Sequence, residues 1–436
     1  MNFAKATALL ALTALLAACG DDEVILPGER LSVRPDGTTV ASAEETGARP
    51  ISLPAPVVSQ SWTHKAGGPL HRIDHPALSA NPTQIWSVKI GAGNSRRQRI
   101  TADPVIADGR IFAMDSRASV TAVSTAGQAL WTVDLTPDSE RADDASGGGL
   151  AIGDGSLFVT TGFGQLAALD PATGAVRWVQ DFDAPATGSP TVRDGLVYVI
   201  TRDSTAFALD TATGRVRWSL PGTPSPTGLA GGAGPAVTDR IVLLPFSSGE
   251  VVAALRQGGV RLWGSAVSGG REGRAYANIT DIAADPVVVG DVVYTGNHSG
   301  RAVAIDAVSG ERLWTAADGA ISPVWVTGGS VFLVSDQSEL VRLDARTGAT
   351  IWRTELPFFR NPKPRKRDAI YAHFGPVLAG GRLYVASDDK QIRVFNPENG
   401  DLLSLIDLPA GATSNMAVVG QTLYIVTENG QLTAFR

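Results

Sequence analysis

The sequence predicts an all-β fold, an eight-bladed β-propeller of four-stranded blades, and three observations lead to it. A segment of the form Ala-x-Asp-x-x-Thr-Gly-x-x-x-Trp recurs along most of the chain at the spacing of a propeller blade. Each copy follows short alternating strands joined by Gly-bearing turns, which is the signature of consecutive hairpins. The composition agrees: 48 Gly and 26 Pro accompany only 18% charged residues in 436, which suits many short strands and tight turns. Apolar residues at 44% are ample for a core.

In chain order, the first element is a leader. Lys5 is the only charge ahead of an apolar run from Ala6 to Ala18, the n-region and h-region of a signal peptide, too short for a comfortable membrane span. It ends Leu16-Ala17-Ala18-Cys19-Gly20, which resembles a bacterial lipobox. That resemblance implies cleavage before Cys19 and lipidation of its thiol. Cys19 is the sole cysteine, so no internal disulfide is available to an exported chain. Gly20 rather than Asp follows it, which favours the outer membrane under the enterobacterial sorting rule. No other segment approaches a membrane span in apolar length.

Residues 20 to about 57 carry Asp21-Asp22-Glu23, Glu44-Glu45 and scattered Pro and Gly with no period, so they are expected to form a tether. Trp62, His71, Ile73 and Leu78 let residues 58–80 lie against the folded body. The expected domains are therefore a signal peptide at 1–18, a lipidated, flexible and partly docked segment at 19–80, and the propeller at 81–436.

The repeats follow. Ala168 to Trp178, Ala208 to Trp218, Ala304 to Trp314 and Arg342 to Trp352 are full copies, with looser ones ending at Trp131 and Trp263. With Trp86 the closing tryptophans are spaced by 45, 47, 40, 45, 51 and 38 residues. Repeated large apolar rings of this kind are expected to pack blade against blade. A copy at Val394 to Gly400 has no Trp. Units open with a small-Pro-apolar strand, as in Asp103-Pro104-Val105 or Ser189-Pro190-Thr191. Asp108-Gly109, Asp154-Gly155, Asp194-Gly195 or Gly380-Gly381 then supplies the positive φ of a tight hairpin. First strands fall near 104, 149, 190, 235, 286, 323, 376 and 416. The last unit stops after three strands at Arg436, while Thr83 to Val88 is a fourth strand without a unit. Pairing the two closes a ring of eight and removes an exposed sheet edge.

Several chemistries find little support. A net charge of −6 argues against a nucleic-acid partner. The five histidines (64, 71, 75, 298, 373) show no metal-ligand spacing on a helix, and Gly162-Phe163-Gly164 suits a hairpin better than a phosphate loop. Two basic runs, Asn94 to Arg99 and Arg360 to Arg367, sit in expected loops. The second, beside Phe358 and Phe359, is a solvated loop or a contact for anionic lipid or an acidic partner.

The tryptophan repeat resembles that of the pyrroloquinoline-quinone propellers, and with the lipobox and eight units it most resembles the BamB family over residues 80–436. That resemblance implies a non-enzymatic accessory lipoprotein on the periplasmic side of the outer membrane, without a cofactor or metal. Its partners would be the periplasmic part of BamA, other barrel-assembly subunits and nascent outer-membrane proteins. Two segments are similar to the family's partner loops. In Leu220-Pro221-Gly222, Leu220 and Gly222 match a Leu-Arg-Gly stretch, while Pro221 replaces the Arg. In Thr280 to Pro286, Asp281 matches the first acid of a Ser-Asp-Val-Asp stretch, while Ala283 replaces the second. The rival is a quinone-dependent dehydrogenase or a small-ligand propeller. Those dehydrogenases use an adjacent cysteine pair, and this chain has no Cys after Cys19.

Overall fold

The computed structural model describes residues 47–436 apart from 187, 226–227, 229–230, 268, 270 and 272–278. The expectations for the leader, Cys19 and the first part of the tether lie outside the described residues.

The described strands form eight four-stranded antiparallel sheets. In chain order these are blade 1 (105–134), blade 2 (148–181), blade 3 (191–221), blade 4 (236–266), blade 5 (282–316), blade 6 (325–355), blade 7 (373–407) and blade 8 (417–435 together with 84–89). Each is a meander from an innermost to an outermost strand. The exception is blade 8, whose outermost strand is Gln84–Lys89, paired antiparallel with Gln431–Phe435. Inner strands are buried along nearly their whole length, as in Ser156–Thr161. Outer strands alternate, as in Val176–Asp181, because only one face of an edge strand meets the neighbouring blade.

The first hairpin turn of a blade is set by its sequence. Asp108, Asp154 and Asp194 have φ of 50°, 47° and 46°, and each is followed by a Gly at positive φ. That succession gives a turn whose twist matches the flanking strands. In the turn before the outer strand, Asp170 Oδ1 accepts from the N–H of Ala172 (2.9 Å) and Thr173 (3.0 Å) and from the Thr173 hydroxyl (3.1 Å). The same constellation recurs at Asp210, Asp306 and Asp344.

The seven closing tryptophans of the repeat join one blade to the next. The indole N–H of Trp86, Trp131, Trp178, Trp218, Trp263, Trp314 and Trp352 donates to a carbonyl in the outer turn of the following blade, at 2.9 to 3.3 Å. Each ring lies on a glycine of that turn. A Cβ on Gly214 would stand 2.7 Å from the Trp178 ring, so glycine is required there by close approach. Six of the rings also lean on an aromatic of their own blade at 5.8 to 6.0 Å, as Trp178 does on Phe158.

Blade 7 shows why one repeat has no Trp. Ser404 stands opposite Val394, the register position that Trp218 takes opposite Ala208 in blade 3. The next blade is number 8, whose outer two strands come from opposite ends of the propeller and share no turn. Where no turn exists, there is no glycine platform or carbonyl for an indole to meet.

Residues 47–80 are docked from the first described position, about ten residues earlier than the lack of periodicity suggested. Gly47 N donates to Ile351 O and Arg49 N to Glu398 O, and the Arg49 guanidinium pairs with Asp344 at 2.7 Å. The strap then runs round the ring at the ends of the innermost strands. Gly420 N donates to Ser59 O in blade 8, and Trp62 exchanges both backbone bonds with Ile106 in blade 1. Ile152 N donates to Thr63 O in blade 2, and Val192 N to His64 Nε2 in blade 3. Val237 N donates to Pro69 O in blade 4, Val288 N to Leu70 O in blade 5, and Gly380 N to Pro76 O in blade 7. At blade 6 the turn glycine Gly328 lies against Ile51 and Ser52. One irregular segment thus contacts all eight blades on the face of the short first turns and closes the central channel there.

Candidate functional site

Because strands alternate in direction, the described connections between blades emerge on the opposite face, together with the turns between second and third strands. The central channel opens there as a blind cavity of about 500 Å³. Its floor is Lys65, which the strap carries into the axis. Lys65 Nζ pairs with Asp285 at 2.7 Å, and both are buried. Asp285 Oδ1 accepts the Gly234 N–H at 2.6 Å. Beside them Asp103 accepts from the backbone and side-chain nitrogens of Asn415 at 2.7 and 2.8 Å. Burial by itself lowers the Lys65 ammonium, but Asp285 and Asp103 carry it above its ordinary value. Burial raises the Asp103 carboxyl although Lys65 and Asn415 oppose the rise. The floor is thus a salt-bridged seal made by the chain itself.

Three of the histidines tie the strap to the ring. His64 Nε2 accepts the Val192 N–H at 3.0 Å, and burial followed by the nearby His71 lowers its pKa to about 3. His71 Nδ1 donates to Pro286 O at 2.9 Å. His75 accepts the Gly381 N–H at 2.8 Å and donates to Pro54 O. Among the described residues no three His, Cys, Asp or Glu side chains are grouped to hold a metal.

The two segments matched to partner loops both lie on the open face. Leu220 lies next to the end of the outer strand of blade 3, which closes at Pro221, and Asp281 lies just before the inner strand of blade 5. Between them a shallow depression is lined by Arg202, Gly228, Ser247 and Asp281. A Cβ on Gly228 would be 3.9 Å from both Arg202 Nε and Asp281 Oδ2.

The named residues themselves are turned inward. Leu220 packs against the buried cluster that includes Tyr198, Trp218 and Phe246. Gly222 donates its N–H to Ser204 O at 2.6 Å, and a Cβ there would stand 2.6 Å from the Phe246 ring, so this position is held by close packing. Asp281 is only 5% exposed, and Ala283 lies at the channel mouth. What the face displays are their neighbours: Arg202, Pro221, Thr223 and Pro224 are exposed. Sequence reading passed over Arg202 because it lies in a short turn of the same blade, outside either matched segment. Only the fold brings that turn beside Asp281.

An eight-bladed ring with tryptophan-docked blades, its loops gathered on one face, defines a propeller of PQQ-like repeats. The model of the family described as outer membrane protein assembly factor BamB matches residues 116–354 and 343–436, and the chain belongs to that family. The assembly factor BamB of Shigella dysenteriae is 29% identical over 349 residues, covering 78% of this chain and 86% of the relative. That of Yersinia pestis is 25% identical over 362 residues, covering 81% and 89%. Among solved structures, BamB from Moraxella catarrhalis superposes with a TM-score of 0.69 at 22% identity, covering 82% of this chain and all of that one. A quinohemoprotein alcohol dehydrogenase from Pseudomonas putida reaches 0.68 at 14% identity, covering 86% and 80%. At such identities the likeness extends to the fold alone.

Proposed function

We propose that this chain is a non-catalytic scaffold of the outer-membrane β-barrel assembly machinery, lipidated at Cys19 and held at the periplasmic face. In this reading it binds the periplasmic part of BamA through the open face of blades 3 to 5. The observation that supports the surface is the convergence of three separate loops on Arg202, Gly228 and Asp281. A rigid ring can hold such loops in a fixed array, and fixed loops can recognise a partner without chemistry of their own. Leu220, Gly222 and Asp281 then act by shaping the surface, and Arg202, Pro221 and Thr223 by touching the partner. Nascent outer-membrane proteins and other assembly subunits are the further partners of this reading.

The test is affinity purification of the lipoprotein from detergent-solubilised envelopes, with mass spectrometry of what co-elutes, for the parent and for Arg202→Glu. The expected result is recovery of BamA with the parent and about a tenfold loss with the exposed charge reversal, as for a close interfacial charge. Recovery undiminished by Arg202→Glu removes blades 3 to 5 as the surface. A parent that brings down no assembly subunit overturns the reading altogether.

A further inference from the structure

The connection from blade 6 to blade 7, residues 356–372, carries Arg360, Lys363, Arg365, Lys366 and Arg367 against one acid, Asp368, in a chain of net charge −6. It is a built hairpin. Phe359 and Ile370 form a β-bridge, Arg360 N donates to Ala369 O at 3.0 Å, and Tyr371 N donates to Phe358 O at 2.9 Å. A 3-10 turn at Pro364–Lys366 forms the tip, closed by Lys366 N to Lys363 O at 2.8 Å. Two of the cations are spent on the stem. Arg360 pairs with Asp388 and lies 5.7 Å over the Tyr371 ring, while Arg367 sits 4.7 Å over Phe359 and donates to Pro362 O.

The side chains of Lys363, Arg365 and Lys366 are exposed, and none has an ion pair or hydrogen bond among the described residues. A like-charged tip held together without counterions fits a multiply anionic surface. Protein interfaces usually centre on an aromatic or apolar anchor in a pocket. This tip offers mainly prolines and cations, because its two phenylalanines are half-buried in the stem and stacked on each other at 4.6 Å, and the exposed Ile370 lies back in the stem, bridged to Phe359. A plane of phosphates asks for no anchor. It rewards several adjacent positive charges at once, and the arginine fork matches phosphate oxygens.

We propose that this hairpin is a docking point for the phosphates of anionic lipid headgroups at a bilayer surface, setting how the open face is presented to the membrane. The proposal does not depend on the partner surface of blades 3 to 5.

The test uses the full lipoprotein in lipid nanodiscs, of phosphatidylcholine alone or mixed with phosphatidylglycerol. A fluorophore on Asp368→Cys is read against a headgroup-level quencher, and the parent taken through the same labelling reports any signal from Cys19. Quenching is expected in the anionic discs only. It should fall about tenfold in roughly 1 M salt, where the screening length is near 3 Å, and in the triple variant Lys363→Glu, Arg365→Glu, Lys366→Glu. Equal quenching in both discs, or quenching that survives the triple reversal, overturns the proposal. So does its loss to millimolar inorganic phosphate at constant ionic strength, which makes the tip a free-phosphate site. An unquenched tip whose reversal instead removes a co-purifying protein assigns the patch to an acidic partner.

Discussion

The two faces of this propeller are built from the same repeats and differ in nearly everything else. On the closed face each blade ends its first hairpin in a short turn, usually Asp-Gly or Gly-Gly, and each tryptophan docks on the turn beyond it. A single strap then bonds to the inner strands around the ring. On the open face the connections range from a few residues to the seventeen of 356–372, and they hold the cavity mouth, the Arg202–Asp281 depression and the basic hairpin. The difference teaches how a repeat fold separates its tasks. Contacts that recur from blade to blade stabilise the ring, while the loops that depart from the repeat are free to acquire partners.

If that division holds, the closed face should be costly to damage. Trp62 is 1% exposed, bridges the strap to Ile106 and belongs to the largest buried cluster. Trp62→Ala is expected to destabilise by about 3–5 kcal/mol, from lost burial plus the cavity left behind. Chemical denaturation of the purified chain measures it. A cost below about 1 kcal/mol would mean that the strap rides on the ring without closing it.

The strap should also give the closed face an acid sensitivity. His64 must be neutral to accept the Val192 N–H, and its pKa falls from 6.5 to about 3 on burial. A depressed folded pKa means that the unfolded chain takes up the proton first. The contribution is therefore complete above pH 6.5 and is lost progressively as pH falls toward about 3. By about pH 5 the loss is on the order of 2 kcal/mol. His71, His298 and His373 are lowered by burial with the same sign, so the readout is a difference. His64→Gln, which can still accept the amide, should flatten the stability curve between neutral pH and about pH 5 by one proton's worth. An unchanged slope would show that His64 does not titrate in this way.

The closed face was also the more legible of the two in sequence. Its turns and tryptophans are local and repeated, so Asp194-Gly195 and the Thr213-Gly214 to Trp218 spacing declare themselves without a structure. Even the chain's closure followed from counting strands, since a unit of three and a lone fourth strand leave one simple pairing. The strap was not legible, because it binds through backbone groups and single side chains with no period. His64 meets Val192 across 128 residues, and Lys65 meets Asp285 across the channel. The open face was legible only in parts. The segments around Leu220 and Asp281 could be matched to a family, but what each side chain faces depends on Phe246 and Ser204, brought in by other turns. A matched segment located the neighbourhood, and packing decided which residues are displayed.

The smallest effect belongs to the open face and is the sharpest check on the division. Lys363, Arg365 and Lys366 are exposed and contact no acid among the described residues, and the bonds that hold their hairpin are made by the backbone and by Arg360 and Arg367. Reversing all three should therefore change stability by no more than about 0.5 kcal/mol each, and relief of like-charge crowding at the tip acts in the stabilising direction. The melting curve of the triple variant should overlay that of the parent at neutral pH, in contrast to Trp62→Ala. A loss of several kcal/mol would place this loop among the elements that hold the ring together, and the separation of tasks between the faces would fail at its most charged point.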